Sequence, residues 1–374
     1  MIEYVQVRNA NFEIVGIIDT AKSIIWHKKY YGVGDFEIYA QATQAHVNLL
    51  QIGNYISRLN DDEIGIVEKI EIQHNQQDGL MIVASGRFAK SILDRRIIYT
   101  LSGTKNSATT LTGNVESAAR ALVANNATAC SFNTKRNISF LELGAHSGST
   151  EVIVDDSGEP TTLQVVNDNL LEYTDALLQE YKMSAKVIFS DAETKLQYVC
   201  FRGIDRSTDN ASGIDSVIFS SDFDNLTNSD YSLNETNIKN MALIGGEGEG
   251  LDKFYSSIES DAEGIERREI FVNGSQIQRK YTDDEDVEQE YTDQEYKAFL
   301  DSLGKSELAQ HIQIEAFSGT INTASEIFVF GIDYSLGDIV TVQDNEIGVY
   351  ANVRIVETTE VQDENGYSVS LNYE

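Results

Sequence analysis

The chain has few of the residues that mark secreted, membrane-bound or nucleic-acid-binding proteins. It contains two cysteines, Cys130 and Cys200, which are too few for a disulfide framework and indicate synthesis in a reducing cytoplasm. It contains one proline, so its turns must depend on glycine, asparagine and aspartate. The N-terminus lacks the regions of a signal peptide, and no apolar run reaches the roughly 18 residues of a membrane span. We therefore expect no membrane insertion by this chain.

Basic residues are also scarce, because 28 lysines and arginines stand against 60 aspartates and glutamates, and the formal net charge is −32. A surface of this sign repels phosphate groups, which argues against binding of DNA or RNA through a basic patch. High solubility explains the charge equally well. Hydrophobic residues make up 41% of the 374 residues, which is enough for roughly two to four globular domains with separate cores.

The most informative pattern is a short series of motifs that occurs near both ends of the chain. Each copy has a glycine before a strand, a Glu-Ile-Gly sequence, a second strand and a turn that contains glycine. These motifs are Ile52-Gly53, Glu63-Ile64-Gly65, the strand to Ile72 and Asp78-Gly79 in the first copy, and Leu336-Gly337, Glu346-Ile347-Gly348, the strand to Ile355 and Asn365-Gly366 in the second. The series predicts two related β modules. Because the match is short and needs a one-residue gap before each Glu-Ile-Gly, chance similarity stays the alternative.

Hydrophobic periodicity predicts an α+β, β-rich fold. Residues 1–105 contain several short strands with period-two alternation and are predicted to form a small barrel or sandwich. Residues 106–205 are predicted to form an α+β insert. If the motif series reflects two duplicated small antiparallel β-barrels, residues 1–105 form the first barrel, residues 206–250 and 315–374 form the second, and residues 251–314 form an insert with a helical hairpin.

Two helices are well marked in the inserts. A stripe of apolar side chains from Leu170 to Tyr181 follows helical spacing. Thr292 and Glu295 form a capping box that starts the second helix, and Gly304 is expected to end it as a C′ glycine. A further short helix is expected from Ser306.

No motif predicts catalysis, a cofactor or a metal, so we assign no catalytic, cofactor-binding or metal-binding residue. The segment Gly246-x-Gly248-x-Gly250 lacks the lysine of a P-loop and the spacing of a dinucleotide fingerprint. Cys130 and His146 could form a thiol dyad, but the residues around them do not support one. The histidines are scattered without metal-ligand spacing, at His27, His46, His74, His146 and His311.

Two acidic stretches could bind calcium weakly through carboxylate oxygens. They are Asp155–Glu159 and Asp283–Asp286, and neither has the spacing of an EF-hand loop. A solvated acidic loop is the simpler interpretation of each stretch. Acidic pairs are so abundant in this chain that no one pair indicates a general acid and base.

Five segments, in this order along the chain, resemble a known family. They are Gly34–Ile38, Glu63–Glu68, Arg95–Ile98, Gly245–Gly250 and Arg267–Phe271. With these segments the chain resembles the baseplate hub, or tail-associated structural protein, of siphophages and prophages of Gram-positive bacteria. This is the ReqiPepy6-type siphovirus tail family, which is related in fold to the central hub of contractile tails. The segments are short, and their order and spacing carry more weight than any one of them.

The resemblance implies a homotrimer at the tail tip of a virion, made in the host cytoplasm. Two barrels per subunit would adapt the trimer to the hexameric tail tube, with residues 1–105 facing the tube and residues 251–314 close to the channel. Implied partners are the distal tail protein, the tail tube or tape measure and other baseplate proteins, while DNA passes without specific binding. The chain stops at Glu374, directly after the second copy, so a hub without the cell-wall hydrolase of many family members is expected.

Two other functions remain open from the sequence. A tail-associated peptidoglycan hydrolase would need a nucleophile, a metal site or a carboxylate pair, and the sequence indicates none. A carbohydrate-binding receptor module is compatible with a β-rich chain that contains 18 tyrosines. Lysis of cell walls would identify the first, and binding of isolated protein to host glycans would identify the second.

Overall fold

The chain folds into two compact units, each built from segments that are distant in sequence. Unit 1 consists of Met1–Ser91, Ser184–Ser232 and Glu315–Glu374, and unit 2 consists of Ile92–Met183 and Leu233–Ile314. The computed structural model describes residues 4–59, 61–76, 78–102, 105–155, 158–282, 287–309, 311, 314–322, 327–345 and 348–374.

More residues of the chain lie in strands than in helices, as the sequence predicts, so the fold is α+β and β-rich. The strands are β1 (Val5–Arg8), β2 (Ile14–Ile18), β3 (Ala21–Lys29), β4 (Asp35–Gln41), β5 (Tyr55–Ser57), β6 (Gly65–Ile66), β7 (Lys69–Asn75), β8 (Gly79–Arg87), β9 (Thr100–Ser102), β10 (Lys105–Ser107), β11 (Thr109–Thr112), β12 (Leu141–Leu143), β13 (Thr162–Val165), β14 (Ser184–Ser190), β15 (Lys195–Phe201), β16 (Ile218–Ser220), β17 (Leu226–Asn234), β18 (Met241–Gly245), β19 (Tyr255–Ile258), β20 (Glu269–Asn273), β21 (Lys280–Thr282), β22 (Glu288–Glu290), β23 (Ile314–Ile321), β24 (Ile339–Asp344), β25 (Val349–Asp363) and β26 (Gly366–Tyr373).

The α-helices are α1 (Gln44–Leu49), α2 (Val115–Val123), α3 (Leu170–Glu180) and α4 (Asp293–Ala309). Each begins after a Thr or Asn whose side-chain oxygen accepts a hydrogen bond from a backbone N–H of the first turn. In the described residues no helix combines the length and the apolar character that a membrane crossing requires. Shorter helical segments are the 3₁₀ turns Ala89–Arg95, Thr134–Arg136, Ser221–Phe223, Gly250–Asp252 and Gly264–Glu266 and the π turn Ala124–Thr128.

Unit 1 is dominated by one long sheet with the strand order β17-β23-β26-β25-β3-β4-β8-β7. Strand β24 also pairs with β25, and β16 pairs with β24. A smaller sheet has the order β2-β1-β5-β6, and β14 and β15 form a hairpin. Among the strands described, no ladder closes a sheet into a barrel, so the two predicted barrels stay a prediction.

Period-two alternation explains why one face of the long sheet is buried. Trp26 on β3 opposes Phe36 on β4, Ile24 opposes Ile38, and Ile38 opposes Ala84 on β8. All five side chains are buried in one core. The second core lies under the other half of the sheet and contains Phe219, Tyr334, Val340, Val369, Leu371 and Tyr373.

Unit 2 contains a three-stranded sheet in which β18 pairs antiparallel with β19 and parallel with β20. Helix α4 packs on it through Tyr296, Phe299 and Leu300. The predicted stripe of α3 is confirmed, since Leu170, Leu171, Thr174, Leu177 and Leu178 are buried.

The predicted end of α4 at Gly304 is wrong, and so is the separate helix at Ser306. The capping box forms as predicted, but the helix continues through Gly304 to Ala309. A β-carbon on Gly304 would lie 2.6 Å from Ile244 Cδ1, so this glycine lets the helix approach the sheet closely. Tertiary packing, and not helix termination, explains its position.

Candidate assembly site

The first copy of the repeated pattern starts with a pair of backbone hydrogen bonds. The N–H of Gly53 donates to the carbonyl of Val67 at 2.8 Å, and the N–H of Val67 donates to the carbonyl of Asn54 at 2.9 Å. Gly53 has a φ of +86°, a left-handed conformation that favours glycine. The strand is interrupted directly afterwards, because β6 ends at Ile66 and β7 begins at Lys69.

The second copy repeats this geometry. The N–H of Gly337 donates to the carbonyl of Ile355 at 2.8 Å, and the N–H of Ile355 donates to the carbonyl of Asp338 at 2.9 Å. Gly337 has a φ of +93°, and the ladder of β25 shifts register directly after Ile355. The predicted repeat is therefore present in the backbone, with Gly337 in the place of Gly53 and Ile355 in the place of Val67.

The Glu-Ile-Gly part of the predicted repeat is not structurally equivalent. Gly65 lies in β6 and pairs with Ile56, whereas Gly348 lies in the turn before β25 with a φ of +72°. Glu346 and Ile347 lie outside the described residues. This part of the match is a coincidence of sequence, because the hydrogen bonds align Val67 with Ile355 and not Ile66 with Val349.

Both copies contribute four strands to the long sheet in the same order. The first copy is ordered β3-β4-β8-β7, and the second is ordered β17-β23-β26-β25. In each, the third and fourth strands along the chain form a terminal hairpin. The two copies are joined head to tail, because β25 of the second pairs antiparallel with β3 of the first, from Glu357 opposite Lys29 to Gln362 opposite Ile24.

This arrangement leaves complementary edges at the two ends of the long sheet. In the part of the chain that is described, β7 pairs only with β8 and β17 is the terminal strand at the other end. Ile72 on β7 is five residues after Val67, as Glu360 on β25 is five residues after Ile355. Ile72 is 51% exposed at the open edge, whereas Glu360, which lies opposite Trp26 on β3 and binds Arg58, is 4% exposed. A strand edge of this kind can pair with another chain.

A cluster of charged side chains connects the two copies inside unit 1. The Arg58 guanidinium lies 2.8 Å from Asp61 and also binds Glu360 on β25. The Lys28 ammonium lies 2.6 Å from the same Asp61 carboxylate, and Trp26 donates its indole N–H to it at 3.0 Å. Because Asp61 and Glu360 are almost fully buried, these contacts replace the hydration that both carboxylates lose.

The electrostatics of this cluster follow from its geometry. Burial alone would raise the pKa of Asp61, but Lys28 and Arg58 hold it at about 2. Burial raises the pKa of Glu63. The Lys28 ammonium, 3.4 Å from the Glu63 carboxylate, reduces this increase. No sequence spacing indicated the cluster, since Arg58 and Glu360 are 302 positions apart.

The face of the long sheet that is turned away from the cores is polar. On β3, β4, β7, β8 and the part of β25 that pairs with β3, alternation places five carboxylates on it against three basic side chains and one histidine. At the junction of the copies, His27 lies 3.2 Å from Asp35 and 3.7 Å from Glu357. The charged residues of these strand segments on this face are Asp35, Glu37, Glu71, Glu357, Asp363, Lys29, Lys69, Arg87 and His27.

The structure does not assemble the thiol dyad. Cys130 is buried, and its backbone N–H donates to Asn137 at 2.7 Å. The ring of His146 lies 3.5 Å from the carboxylate of Glu116. Among the hydrogen bonds of the described residues, none joins the side chains of Cys130 and His146.

The glycine-rich segment serves packing. Gly248 and Gly250 have left-handed φ angles of +104° and +57°. A β-carbon on Gly246 would lie 2.8 Å from the hydroxyl of Tyr296, which accepts the N–H of Glu247 at 2.8 Å. The segment is a tight connection against α4, with acidic side chains between its glycines.

The predicted acidic stretches lie partly outside the described residues. Asp155 and Glu159 close a turn, in which the N–H of Asp155 donates to the Glu159 carbonyl at 2.8 Å. Asp156 and Ser157 lie outside the described residues, and so does the whole stretch Asp283–Asp286.

Among the described residues, three consecutive carboxylates in unit 1 lie close enough together to hold a metal ion. Single oxygens of Asp61, Asp62 and Glu63 lie within 4.8 Å of one another. Lys28 binds Asp61 and Glu63, and Lys186 binds Asp62 at 2.6 Å. Because these carboxylates already have cationic partners, we assign no metal ion to them.

The comparisons with known proteins agree with this fold. A family model described as Siphovirus ReqiPepy6 Gp37-like protein matches residues 4–372. The tail protein from Neisseria meningitidis MC58 is similar with a TM-score of 0.56 and 13% identity, over 99% of this chain and 96% of that chain. The 43 kDa tail protein of prophage MuSo2 from Shewanella oneidensis has a TM-score of 0.57 and 14% identity, over 100% of this chain and 98% of that chain. At these identities the likeness concerns the fold. No curated protein matches the sequence.

Proposed function

Since the chain belongs to the family of Siphovirus ReqiPepy6 Gp37-like proteins, which are phage tail proteins, we propose that it is the structural hub of the tail tip. Three chains form a ring in which each contributes its two copies of the four-stranded pattern. Such a ring presents six like units and suits a tail tube with six-fold symmetry. The observation that carries the proposal is the head-to-tail junction of β25 and β3.

The same junction can form between chains. Strand β7 has the place in the first copy that β25 has in the second, and β17 has the place of β3. Strand β7 of one chain can therefore pair with β17 of the next, and a head-to-tail contact of this kind closes into a ring. In that ring the neighbouring chain covers Ile72.

The polar face of the long sheet suits the lining of a channel for DNA. Its segments on β3, β4, β7, β8 and the part of β25 opposite β3 carry more carboxylates than lysines and arginines, in a chain of net charge −32. Like charge disfavours adsorption of DNA as it passes. We expect DNA to cross the channel without specific binding, and a lining that proves to be mostly lysine and arginine would contradict this.

Each segment of the chain has a place in the proposed tail tip. Residues 1–105 form the barrel that faces the tail tube, and residues 206–250 with 315–374 form the second barrel. The inserts, residues 106–205 and 251–314, narrow or plug the channel below the ring. The partners are the distal tail protein, the tail tube or tape measure and other baseplate proteins, at the tip of a virion assembled in the host cytoplasm.

Solution mass tests the ring. At high protein concentration, light scattering is expected to give about three times the chain mass of 41.6 kDa. Ile72→Lys places a charge at the contact with β17 and is expected to leave a monomer. Ile265→Lys is the matched control, because Ile265 is 90% exposed in unit 2, and it keeps the wild-type mass. A dimer, or an Ile72→Lys variant that still forms trimers, contradicts the proposal.

We propose no catalytic activity for this chain. The residues that resemble catalytic or nucleotide-binding motifs are buried, paired or used in packing. A zymogram on host cell walls tests this, and a clear zone of lysis by the purified protein would contradict it. Strong binding of the isolated protein to a glycan array would favour a receptor-binding module instead.

A further inference from the structure

Unit 1 contains a groove of about 1250 Å³ that the proposed ring does not use. Its walls carry six basic and six acidic side chains, whereas the whole chain has 28 basic and 60 acidic residues. These groups pair with one another, as Arg8 does with Asp191 at 2.9 Å and Arg206 with Asp338 at 2.9 Å. The groove is therefore electrically balanced on an acidic chain, and another acidic protein can approach it without strong repulsion.

Large aliphatic side chains stand exposed at the same groove. Ile14 is 52% exposed, Leu59 64%, Ile204 43% and Ile332 75%, and all four line it. Single exposed aliphatic residues are ordinary, but four around one groove form an apolar patch that a partner can cover. The paired charges beside them supply the polar rim that protein interfaces usually have.

One wall of the groove belongs to a strand with an open edge. Strand β2 is the terminal strand of the order β2-β1-β5-β6, and in the described chain it pairs only with β1. Its residues, Ile14–Ile18, include no charge and no proline, and Ile14, Val15 and Ile17 are all about half exposed. Natural proteins usually protect such an edge with charges or proline, and β2 has neither.

We propose that β2 accepts an extended strand of another tail protein, and that alternate side chains of this strand enter the groove. Gln6 opposes Ile17 and Arg8 opposes Ile14, and both Gln6 and Arg8 line the groove. A strand added on the outer side of β2 directs every second side chain to that same face. In the described chain β2 pairs only with β1, and another strand is what provides backbone hydrogen bonds along its other edge, so the occupant is a strand with alternating apolar residues.

A second copy of this chain does not fit the site as well. In the proposed ring, neighbouring chains join through β7 and β17, which belong to the other sheet. Pairing of β2 with β2 of another copy requires a two-fold axis, which a three-membered ring lacks. The identity of the occupant as a tail protein rests on the proposed function, whereas the strand-accepting edge does not.

A displayed library of random peptides about ten residues long, the length of a long strand, is the probe. Selection on the full-length protein is expected to enrich peptides with alternating apolar residues, and the bound peptide slows amide hydrogen exchange in β2. Ile14→Lys and Ile17→Lys are each expected to weaken binding by about tenfold or more. Leu251→Lys, at a fully exposed leucine of unit 2, leaves binding unchanged.

Methylation of alternate backbone nitrogens of the selected peptide tests whether it binds as an added strand. Methyl groups on the peptide edge that faces β2 abolish binding, and methyl groups on the opposite edge do not. The monomeric Ile72→Lys variant binds the peptide as the wild type does, which separates this site from the ring. Enrichment of no peptide, protection of amides elsewhere, or equal binding by Ile14→Lys overturns the proposal. A lower oligomeric mass for Ile14→Lys also overturns it, because the groove is then a contact between copies.

Discussion

His27 shows how single residues join the two copies of the pattern. It lies on β3, between Asp35 on β4 and Glu357 on β25, at the strand junction that connects the ends of the chain. The contact with Glu357, together with Asp35, raises the pKa of His27 above 6.5, although burial opposes this. The contact with His27 lowers the pKa of Glu357 to about 2.

These shifts predict a pH-dependent contribution to stability. The raised pKa of His27 means that its stabilisation is complete below pH 6.5 and is lost as the pH rises through the folded-state value. The lowered pKa of Glu357 means that the stabilisation from its carboxylate is present above pH 4.5 and is lost as the pH falls toward 2. His27→Gln should therefore lower the urea midpoint more at about pH 6 than at about pH 9. An equal loss at both pH values would contradict this role.

Gly86 on β8 is required by a close approach of two backbones. It lies opposite the interruption after Ile66, where an added β-carbon would be 1.8 Å from the Ile66 carbonyl oxygen. Gly86→Ala should destabilise unit 1 by about 3 kcal/mol, measured by urea unfolding, because backbone atoms must move. Gly16→Ala is the control and should cost less, since the nearest atom is a methyl group of Leu49 at 2.7 Å, which can rotate away. Equal losses of stability in Gly86→Ala and Gly16→Ala would show that the backbone at Ile66 can move away from an added β-carbon.

At the scale of elements, local signals predict where a segment starts better than where it ends. The capping box of Thr292 and Glu295 acts within one turn, and it forms as the sequence predicts. Gly304 was expected to end α4, but its lack of a β-carbon serves contact with Ile244 of the sheet. That contact depends on packing between distant segments, which local spacing does not report.

The cap of α4 can be tested by substitution. Thr292→Ala removes the oxygen that accepts the Glu295 N–H and should lower the free energy of unfolding of unit 2 by about 1 kcal/mol. Thr292→Ser keeps the oxygen and should restore most of that stability. A loss of the same size for both variants would show that the methyl group of Thr292, and not the cap, is important.

At the scale of the whole molecule, unit 1 is built from the first and last parts of the chain. The long sheet brings β25 next to β3, and the buried contact between Arg58 and Glu360 connects the two copies behind it. The ends of the chain therefore depend on each other for a complete sheet and for the pairing of these buried charges. The two terminal strands of this sheet, β7 and β17 in the described chain, are the basis of the proposed ring.

Breaking the buried cluster should affect all of unit 1. Arg58→Ala leaves Asp61 and Glu360 with one cation fewer in a site from which water is largely excluded, and should cost about 3 kcal/mol in urea unfolding. Lys69→Ala removes an exposed ion pair and should cost less than about 1 kcal/mol. The double variant Arg58→Met/Glu360→Leu should be more stable than Arg58→Ala, because it removes charges of both signs. A small effect of Arg58→Ala would contradict the role of the cluster.

Local chemistry in the sequence predicted the β-rich class, the capping box of α4, the stripe of α3 and the glycines that open both copies. These features depend on neighbours within a few residues, so their spacing is visible along the chain. The tertiary structure decided the register of the repeat, the head-to-tail order of the copies and the cluster of Arg58, Asp61 and Glu360. It also decided that Glu-Ile-Gly is not equivalent in the two copies. Each of these depends on which distant strands pair, and a strand shows in its own sequence which residues face a core but not which partner lies beside it.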